Sequence, residues 1–434
     1  MATPSFPLEP FDAEKLPGPD EADPLHRAAF RAALAGADAY RLTRAAVRRD
    51  GTVLRVGNRF VPIARYREIA FLALGRASIS QSLAVTEALG RSLTQGFSVG
   101  PDDLPPEVPF RSRLVPSAEP GDPVAPEIAA SCLELAGELS DRDLLLLLLS
   151  PGAFGLLAQA PEDGAPAWRE LLRSFSTAGA TPGEVAQIAR LTARGPVAGR
   201  FPEGVKADVV TLVVDRGEGA TLLGGGPTVP VSDEERRTGR ATLERIGRWG
   251  SLPEPLRAAF QPDPSRRSGR PANVERPVIV AEPADALRDA SEAVGEKRWL
   301  PRLAELTNPL PPVEAADRFL AKVEEAIQID GDPSSKGWVV FSPLTLGLLE
   351  GTDERAAIGQ FLSRASRRIA RRDMTVGVAR TAGAAAGDRS PAGGVVAAAA
   401  DARATPRARA ILLQPGITDV GTLATAVVPR APAA

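Results

Sequence analysis

The sequence predicts an α/β fold, with a mostly parallel sheet covered by helices in a first domain and a second α/β domain after it. Short runs of apolar and β-branched residues alternate with longer segments of helical periodicity along most of the chain, as in parallel sheets whose strands are joined by helices. The six leucines at 144–149 show no polar alternation, which is typical of a strand buried on both faces.

The first domain is predicted to span residues 25–260. Prolines and acidic residues interrupt residues 1–24, so we expect an extended lead-in there. After a helical segment and two short strands, EIAFLALG and RASISQSLAVTEALG predict a strand, a glycine turn and a helix. One helix precedes the leucine strand, two follow it, and VKADVVTLVVD is the next strand. The segment after that strand opens with Ser232 and Glu235 at capping-box spacing, which predicts a surface helix.

A polar, proline-rich stretch at 261–277 predicts a linker to the second domain. Beyond it, PVIVAE and GWVVFS are predicted strands with two helical segments between them. Residues 278–434 therefore predict a second α/β domain.

The composition excludes several kinds of site. Cys132 is the only cysteine and His26 the only histidine, which excludes an internal disulfide, a multi-cysteine metal site and a histidine-dependent catalytic triad. We expect His26 to be solvated or to cap a helix. The net charge of −2 gives no overall attraction to nucleic acid or to an anionic membrane, so neither is an expected partner.

The sequence predicts a cytoplasmic location. The first 24 residues carry acids and prolines where a secretory signal needs a basic and then an apolar run. No uncharged apolar run approaches the roughly 20 residues that a bilayer requires.

Glycine-bearing turns follow four of the predicted strands. Ligands of parallel sheets bind just beyond the carboxyl ends of the strands, so each turn lies where a binding site is expected. A glycine turn after a strand is also ordinary chain reversal, and both readings stay open for any single turn. The four turns are LALGRAS (72–78), LLSPGAFGLL (148–157), VVDRGEGATLLGGGPTVP (213–230) and VVFSPLTLG (339–347).

Taken in order, these turns resemble the landmarks of the glycerate 2-kinase family, whose C-terminal part is called the MOFRL domain. The family motif Val-Gly-Ala-Gly-Lys-Ala resembles residues 72–77, Ser-Gly-Gly-Gly-Ser-Ala-Leu resembles 150–156, and Ser-Gly-Pro-Thr-Val resembles 225–229. Three further landmarks resemble residues 353–358, 381–383 and 414–419. The resemblance covers about residues 25–430 and implies a Rossmann-like first domain and a MOFRL-like second domain.

The resemblance also implies site residues. Arg76, in place of the family lysine, and Arg355 would be the catalytic cations. Asp215 and Glu218 are the nearest equivalents of the family's acids and would hold Mg²⁺ in an active enzyme that uses ATP; no cofactor is implied otherwise. The residues implied to bind ATP or another phosphate are Gly75, Ser150, Gly152, Gly155, Arg190, Arg194, Gly226 and Thr228.

The chain departs from the family pattern at each landmark. Pro151 removes an amide donor from the second turn, and Phe154 replaces a small glycine. The family's Asn, Arg and Lys positions of the following helix pair fall on Ala186, Ala189 and Pro196. We therefore predict a catalytically degenerate family member, a pseudoenzyme that binds a protein partner or a small anion.

Two alternatives remain at this point. One is an active ATP-dependent kinase that phosphorylates glycerate or a related small hydroxy acid. The other is an unrelated α/β binding protein. The resemblance is compatible with a homodimer in either of the first two cases.

Overall fold

The protein is described here by a computed structural model. The residues that the structure describes are 22–57, 59–100, 110–115, 122–161, 165–180, 182–217, 219, 221–261, 271–306, 310–329, 334–344, 354–369, 374–380, 393–397, 409–411 and 422–430.

The chain divides into two compact units. The central unit is Ala39–Ala281, and the terminal unit joins Met1–Asp38 to Glu282–Ala434. The terminal unit begins with helix α1 (Ala22–Gly36). This helix falls in the range predicted for the first domain, but it packs against elements from the C-terminal part of the chain.

The central unit begins with helix α2 (Ala39–Ala46) and a small antiparallel sheet. Alternate residues of a strand point to opposite faces, and Leu54 and Val61 lie on the buried face of this sheet. The three strands are β1 (Val47–Asp50), β2 (Val53–Val56) and β3 (Arg59–Pro62).

The main sheet of the central unit has six strands, and all its neighbouring strands are parallel, as predicted. Its strand order is β6-β5-β4-β7-β8-β9. The strands are β4 (Ile69–Leu74), β5 (Gln95–Gly100), β6 (Arg111–Leu114), β7 (Leu144–Leu149), β8 (Asp208–Val214) and β9 (Val278–Ala281).

The six leucines of β7 explain why helices cover both faces of this sheet. Leu145, Leu147 and Leu149 lie in one apolar cluster, while the alternate leucines lie in another on the opposite face. All six are buried, so a polar residue at any of them would have no solvated face. The helices of the unit after α2 are α3 (Ser78–Leu89), α4 (Val124–Glu138), α5 (Ala153–Leu157), α6 (Ala165–Thr177), α7 (Pro182–Thr192), α8 (Asp233–Arg245) and α9 (Glu254–Ala258).

The capping box predicted for α8 is confirmed. The Ser232 hydroxyl accepts a hydrogen bond from the Glu235 amide at 3.1 Å, and the Glu235 carboxylate accepts one from the Ser232 amide at 2.8 Å. A cap of this kind contributes about 1 kcal/mol to helix stability.

Strand β9 belongs to a different sheet from the one predicted for it. The run PVIVAE was expected to open the second domain, but β9 pairs in parallel with β8 at the edge of the central sheet. Its short length and the exposure of Ile279, 42%, are typical of an edge strand. Periodicity predicts that such a run is a strand, but it carries no information about which sheet the strand joins.

The terminal unit contains a mixed sheet covered by helices. Its strand order is β10-β11-β15-β12-β13-β14, in which β10 and β11 are parallel and the remaining neighbours are antiparallel. The elements that follow β9 are α10 (Pro283–Gly295), β10 (Leu300–Leu303), α11 (Pro312–Ile327), β11 (Gly337–Leu344), α12 (Glu354–Arg368), β12 (Thr375–Arg380), β13 (Gly393–Ala397), β14 (Arg409–Ile411) and β15 (Thr422–Pro429).

His26 holds α1 against this mixed sheet. The expectation of a solvated or capping histidine is wrong, because His26 is fully buried. Its Nδ1 lies 2.6 Å from the Thr425 hydroxyl and its Nε2 lies 2.9 Å from the Thr375 hydroxyl. Burial lowers the pKa of His26 to about 3, so the ring is neutral at physiological pH.

None of the helices in the described parts of the chain combines the length and apolar character needed to cross a membrane.

Candidate functional site

The turns after β4 and β7 lie against each other at the carboxyl edge of the central sheet. Gly75 has a φ of 105°, and a Cβ at this position would lie 2.3 Å from the Ser150 carbonyl oxygen. Only glycine fits so close an approach with this backbone conformation. The sequence motifs for the first two turns are therefore brought together by the fold.

The backbone amides of the first turn donate to protein acceptors. The Arg76 amide donates to the Pro151 carbonyl at 2.8 Å, and the Ala77 amide donates to the Ser150 hydroxyl at 2.9 Å. The flanking amides of Gly75 and Ser78 donate to carbonyl oxygens of the sheet and of the turn itself. A phosphate site at such a turn needs amides aimed at the ligand, so these four do not fit a bound phosphate in this arrangement.

Ser150 joins the two turns from inside the protein. It is fully buried, and its hydroxyl donates to the Leu74 carbonyl at 3.0 Å while accepting from Ala77. Its carbonyl accepts from the Ala153 amide at 3.1 Å, which closes the second turn ahead of α5. Pro151 contributes a carbonyl to this junction and has no amide to offer a ligand.

Phe154 occupies space at the third glycine turn. A Cβ on Gly225, whose φ is 74°, would lie 2.7 Å from the Phe154 ring. Gly152 precedes α5 with a φ of 93°, and Gly155 is buried within that helix. Gly152 thus supplies the left-handed backbone conformation ahead of α5, and the Phe154 ring packs against Gly225 in the third turn.

The buried Arg190 side chain forms hydrogen bonds with the third turn. It is 1% exposed, its Nε donates to the Gly225 carbonyl at 3.2 Å, and its other guanidinium nitrogens bind the Val229 carbonyl and the Glu235 carboxylate. Burial lowers the pKa of Arg190, and the neighbouring Glu235 carboxylate opposes that effect. An anion at this guanidinium would have to compete with Glu235.

Two further residues of this turn are internal. A Cβ on Gly226 would lie 2.9 Å from the Arg190 Nε. The Thr228 hydroxyl, in a residue only 1% exposed, lies 2.9 Å from the Thr211 hydroxyl of β8. The described contacts of both residues hold the turn to its own unit.

Arg76 and Arg194 are exposed cations of the central unit. The Arg76 side chain starts next to the second turn, since its Cγ lies 3.8 Å from a Cβ built on Gly152. Arg194 is held through its backbone, which exchanges hydrogen bonds of 2.8 and 2.9 Å with Gln159. Of the predicted site arginines whose side chains are described, these two face solvent.

Asp215 caps the turn that follows β8. It is 3% exposed, and both of its carboxylate oxygens accept from the Gly219 amide at 3.1 Å. Glu218 lies outside the described residues. Among the described residues, no group of three or more His, Cys, Asp or Glu side chains forms a metal-binding arrangement. The Mg²⁺ role predicted for Asp215 and Glu218 stays a prediction.

The remaining predicted residues lie in the terminal unit. Arg355 belongs to α12, but its side chain is outside the description. The landmarks at 381–383 and 414–419 also lie outside the described residues. A cleft that joins Arg76 to Arg355 stays a prediction.

The sequence analysis missed a set of buried polar residues next to the first turn. Ser78, Gln81 and Ser82 of α3 and Ser98 of β5 are fully buried, and their side-chain polar atoms have no hydrogen-bond partner among the described protein atoms. We call these four residues the α3–β5 polar cluster. A buried polar group without a hydrogen-bond partner lowers the free energy of unfolding by about 1–3 kcal/mol. The cluster therefore destabilises the folded protein unless a ligand binds it. The spacing of Ser78, Gln81 and Ser82 on one helical face is the signal that could have revealed it.

The sequence matches a family model over more than half of its length. That model, described as a domain of unknown function, DUF4147, matches residues 25–261. A glycerate kinase from Danio rerio is 26% identical over 248 residues, which are 53% of this chain and 49% of that protein. The chain thus spans about half the length of this curated relative.

Two solved structures share the fold over nearly the whole chain. The glycerate kinase of Thermotoga maritima superposes with a TM-score of 0.66 at 19% identity, covering 94% of this chain and 100% of that one. The PH0495 protein of Pyrococcus horikoshii OT3 superposes with a TM-score of 0.65 at 17% identity, covering 96% and 100%. The α/β fold predicted from the sequence is confirmed, and the chain belongs to the DUF4147 family and with it to the glycerate kinase family.

Proposed function

We propose that the chain is a catalytically degenerate member of the glycerate kinase family, which keeps the fold and uses it to bind a protein partner or a small anion. The observation that carries this proposal is the junction between the first two turns. There the amides of residues 75–78 donate to protein acceptors, including Ser150 and Pro151, in place of a phosphate.

The chemistry of phosphoryl transfer explains why this junction matters. The protein contributes positioned donors and cations that stabilise charge on the transferring group, with Mg²⁺ bridging the phosphates. Loss of one preorganised donor in a comparable site costs about 10²- to 10³-fold in rate. Here the four amides of the first turn donate to protein acceptors, and Pro151 has no amide to donate.

The surface cations supply the binding role. Arg76 and Arg194 are exposed on the central unit, and a guanidinium binds carboxylates and phosphates through two parallel hydrogen bonds. These two arginines are the proposed contacts for a small anion or for an acidic group on a partner protein. A MOFRL-like terminal unit, a cytoplasmic location and a homodimer remain expectations of the sequence.

An active kinase is the second candidate. Arg76 favours it, because this exposed cation follows β4 where the family motif has its lysine. The relatives from Danio rerio and Thermotoga maritima carry the name glycerate kinase, and an opening of the turn junction would be needed for this chain to share that activity.

The test measures phosphorylation and binding with the full chain. We expect no ADP release from Mg·ATP and glycerate, and no saturable heat of Mg·ATP binding by calorimetry, under conditions where the Thermotoga maritima enzyme gives both. Phosphorylation of glycerate by the purified chain would refute the degenerate reading.

A second arm of the test addresses the surface cations. Inorganic phosphate titrated into the full chain should raise the unfolding midpoint, and the Arg76→Gln variant should weaken that response. At 100 times its dissociation constant a ligand stabilises by about 2.7 kcal/mol, which is easily measured. An equal response in wild type and variant would remove Arg76 from the proposed site.

A further inference from the structure

The α3–β5 polar cluster is the part of the central unit that its packing leaves unexplained. Two other buried hydroxyls nearby are paired, since Ser150 bonds Leu74 and Ala77, and Thr211 bonds Thr228. The buried hydroxyl oxygens of Thr86, farther along α3, and of Thr43 have no partner within the described structure. The four residues of the cluster are equally buried, yet five of their side-chain atoms have no partner within the described structure, including both polar atoms of the Gln81 amide.

The geometry of helix and strand brings these residues to one place. A Cβ on Gly100 would lie 2.3 Å from the Ser78 hydroxyl, so Ser78 lies over the end of β5. Ser98 is two residues before Gly100 and therefore on the same face of that strand. One turn of helix rises about 5.4 Å and two strand residues rise about 6.6 Å, so Ser82 lies near the level of Ser98. Gln81 adjoins both serines on the helix.

The polarity of the cluster is at odds with the packing around it. Farther along α3, Val85, Ala88 and Leu89 fill an apolar cluster on the same side of the sheet. Leaving a buried donor or acceptor unmatched costs more than a typical hydrogen bond contributes, so apolar residues would suit an empty site better. Polar residues at these positions are explained when a ligand matches them.

The chemistry of the side chains defines the ligand. Each serine hydroxyl donates one hydrogen bond and accepts others, and the glutamine amide offers two donors and a carbonyl acceptor. The cluster itself contains no charged side chain, so nothing in it would balance an ion. We infer that the α3–β5 polar cluster is an internal binding site for neutral hydroxyl groups, supplied by internal water molecules or by a small polyol.

The position of the site supports this inference. Ser78 is the last residue of the first turn and the first of α3, at the carboxyl ends of β4 and β5, where ligands of parallel sheets bind. The site is independent of the surface arginines and of the proposed anion binding, and its tests do not involve kinase activity.

Apolar substitutions test whether the polar side chains of the α3–β5 polar cluster form hydrogen bonds with a ligand. Gln81→Met and Ser82→Ala remove polar atoms with little change of shape, and Ser80→Ala on the half-buried side of α3 is the control. If a ligand binds the cluster, each of the two variants lowers the thermal midpoint by about 2–4 °C relative to the control. A midpoint that is unchanged or raised overturns the inference, since removal of an unmatched buried group relieves its cost.

Two further measurements on wild type and Gln81→Met distinguish the two sources of the hydroxyl groups. Oxygen-17 relaxation dispersion counts long-lived internal water, which should be lower in Gln81→Met than in wild type if water is the ligand. Glycerol titrated into protein purified without polyols should give a saturable midpoint rise in wild type and none in Gln81→Met if a polyol is the ligand. If wild type and variant behave alike in both measurements, the site does not exist.

Discussion

The Arg190 guanidinium binds three groups of its own unit, at Gly225, Val229 and Glu235. Sequence resemblance assigns the same arginine to ligand binding, because arginine is a common phosphate ligand. Burial decides between ligand binding and a structural role. A guanidinium that is 1% exposed needs hydrogen-bond acceptors and an opposite charge inside the protein. The residue therefore stabilises the turn whose glycine motif prompted the assignment.

Replacement of Arg190 by methionine tests this role. Arg190→Met should lower the free energy of unfolding by about 3 kcal/mol, because Glu235 and two carbonyls lose their partner while the carboxylate stays half-buried. The control is Arg194→Met at an exposed position, where a change within about 0.5 kcal/mol is expected. Urea denaturation of both variants gives the comparison; equal losses would mean that Arg190 is not a specific tie.

Two glycines of opposite character make a second pair of tests. Gly75→Ala should destabilise strongly, because its φ of 105° and the Ser150 carbonyl at 2.3 Å leave no room for a Cβ. Gly137→Ala should instead stabilise by about 0.5–1 kcal/mol, since Gly137 lies in α4 with open space around it. Thermal midpoints shifted in opposite directions are expected, and a neutral Gly75→Ala would contradict the tight junction between the turns.

At the scale of elements, the apolar runs predicted β4, β7, β8 and β9 as strands and a mostly parallel sheet, but β5 and β6 were not predicted. The run that became β7 is unambiguous, because six buried leucines have no alternation. The membership of β9 in that sheet and of α1 in the terminal unit could not be predicted, since periodicity describes a segment and not its neighbours. The hydrogen bond from the Arg76 amide to the Pro151 carbonyl is likewise a tertiary contact. It could not be predicted, because the glycine motif alone is equally compatible with an amide that binds phosphate.

The contact between α1 and the mixed sheet makes stability depend on pH. Burial holds the pKa of His26 near 3, below the ordinary value of 6.5. The folded state thus favours the neutral ring, and its contribution is complete above pH 6.5 and is lost as the pH falls from 6.5 toward 3. The free energy of unfolding should fall by about 1.4 kcal/mol per pH unit from this group. Urea denaturation at a series of pH values gives the slope of the free energy of unfolding against pH. In His26→Gln this slope should be smaller by the contribution of one bound proton, and an unchanged slope would show that His26 titrates normally.

At the scale of the whole molecule, the terminal unit is assembled from both ends of the chain. Leu25, Ala29, Phe30 and Ala33 of α1 are buried, and α1 contacts α10, β12 and β15. The Phe30 ring and His26 approach Gly377 of β12, where a Cβ would lie 3.2 and 2.8 Å from them. The family match at 25–261 therefore begins inside a helix that belongs to the other unit.

Deletion of residues 1–36 tests this assembly, because it uncovers the apolar surface that α1 buries and removes both hydrogen bonds of His26. We expect limited proteolysis to cleave the shortened chain first within residues 282–434, while the fragment that contains the central sheet persists. A peptide of residues 22–36 added in excess should restore protection, and the same peptide with His26→Ala and Phe30→Ala is the matched control. Equal cleavage of the terminal segment in full and shortened chains would show that it folds without α1, and simultaneous loss of the central fragment would show that the two units do not unfold separately.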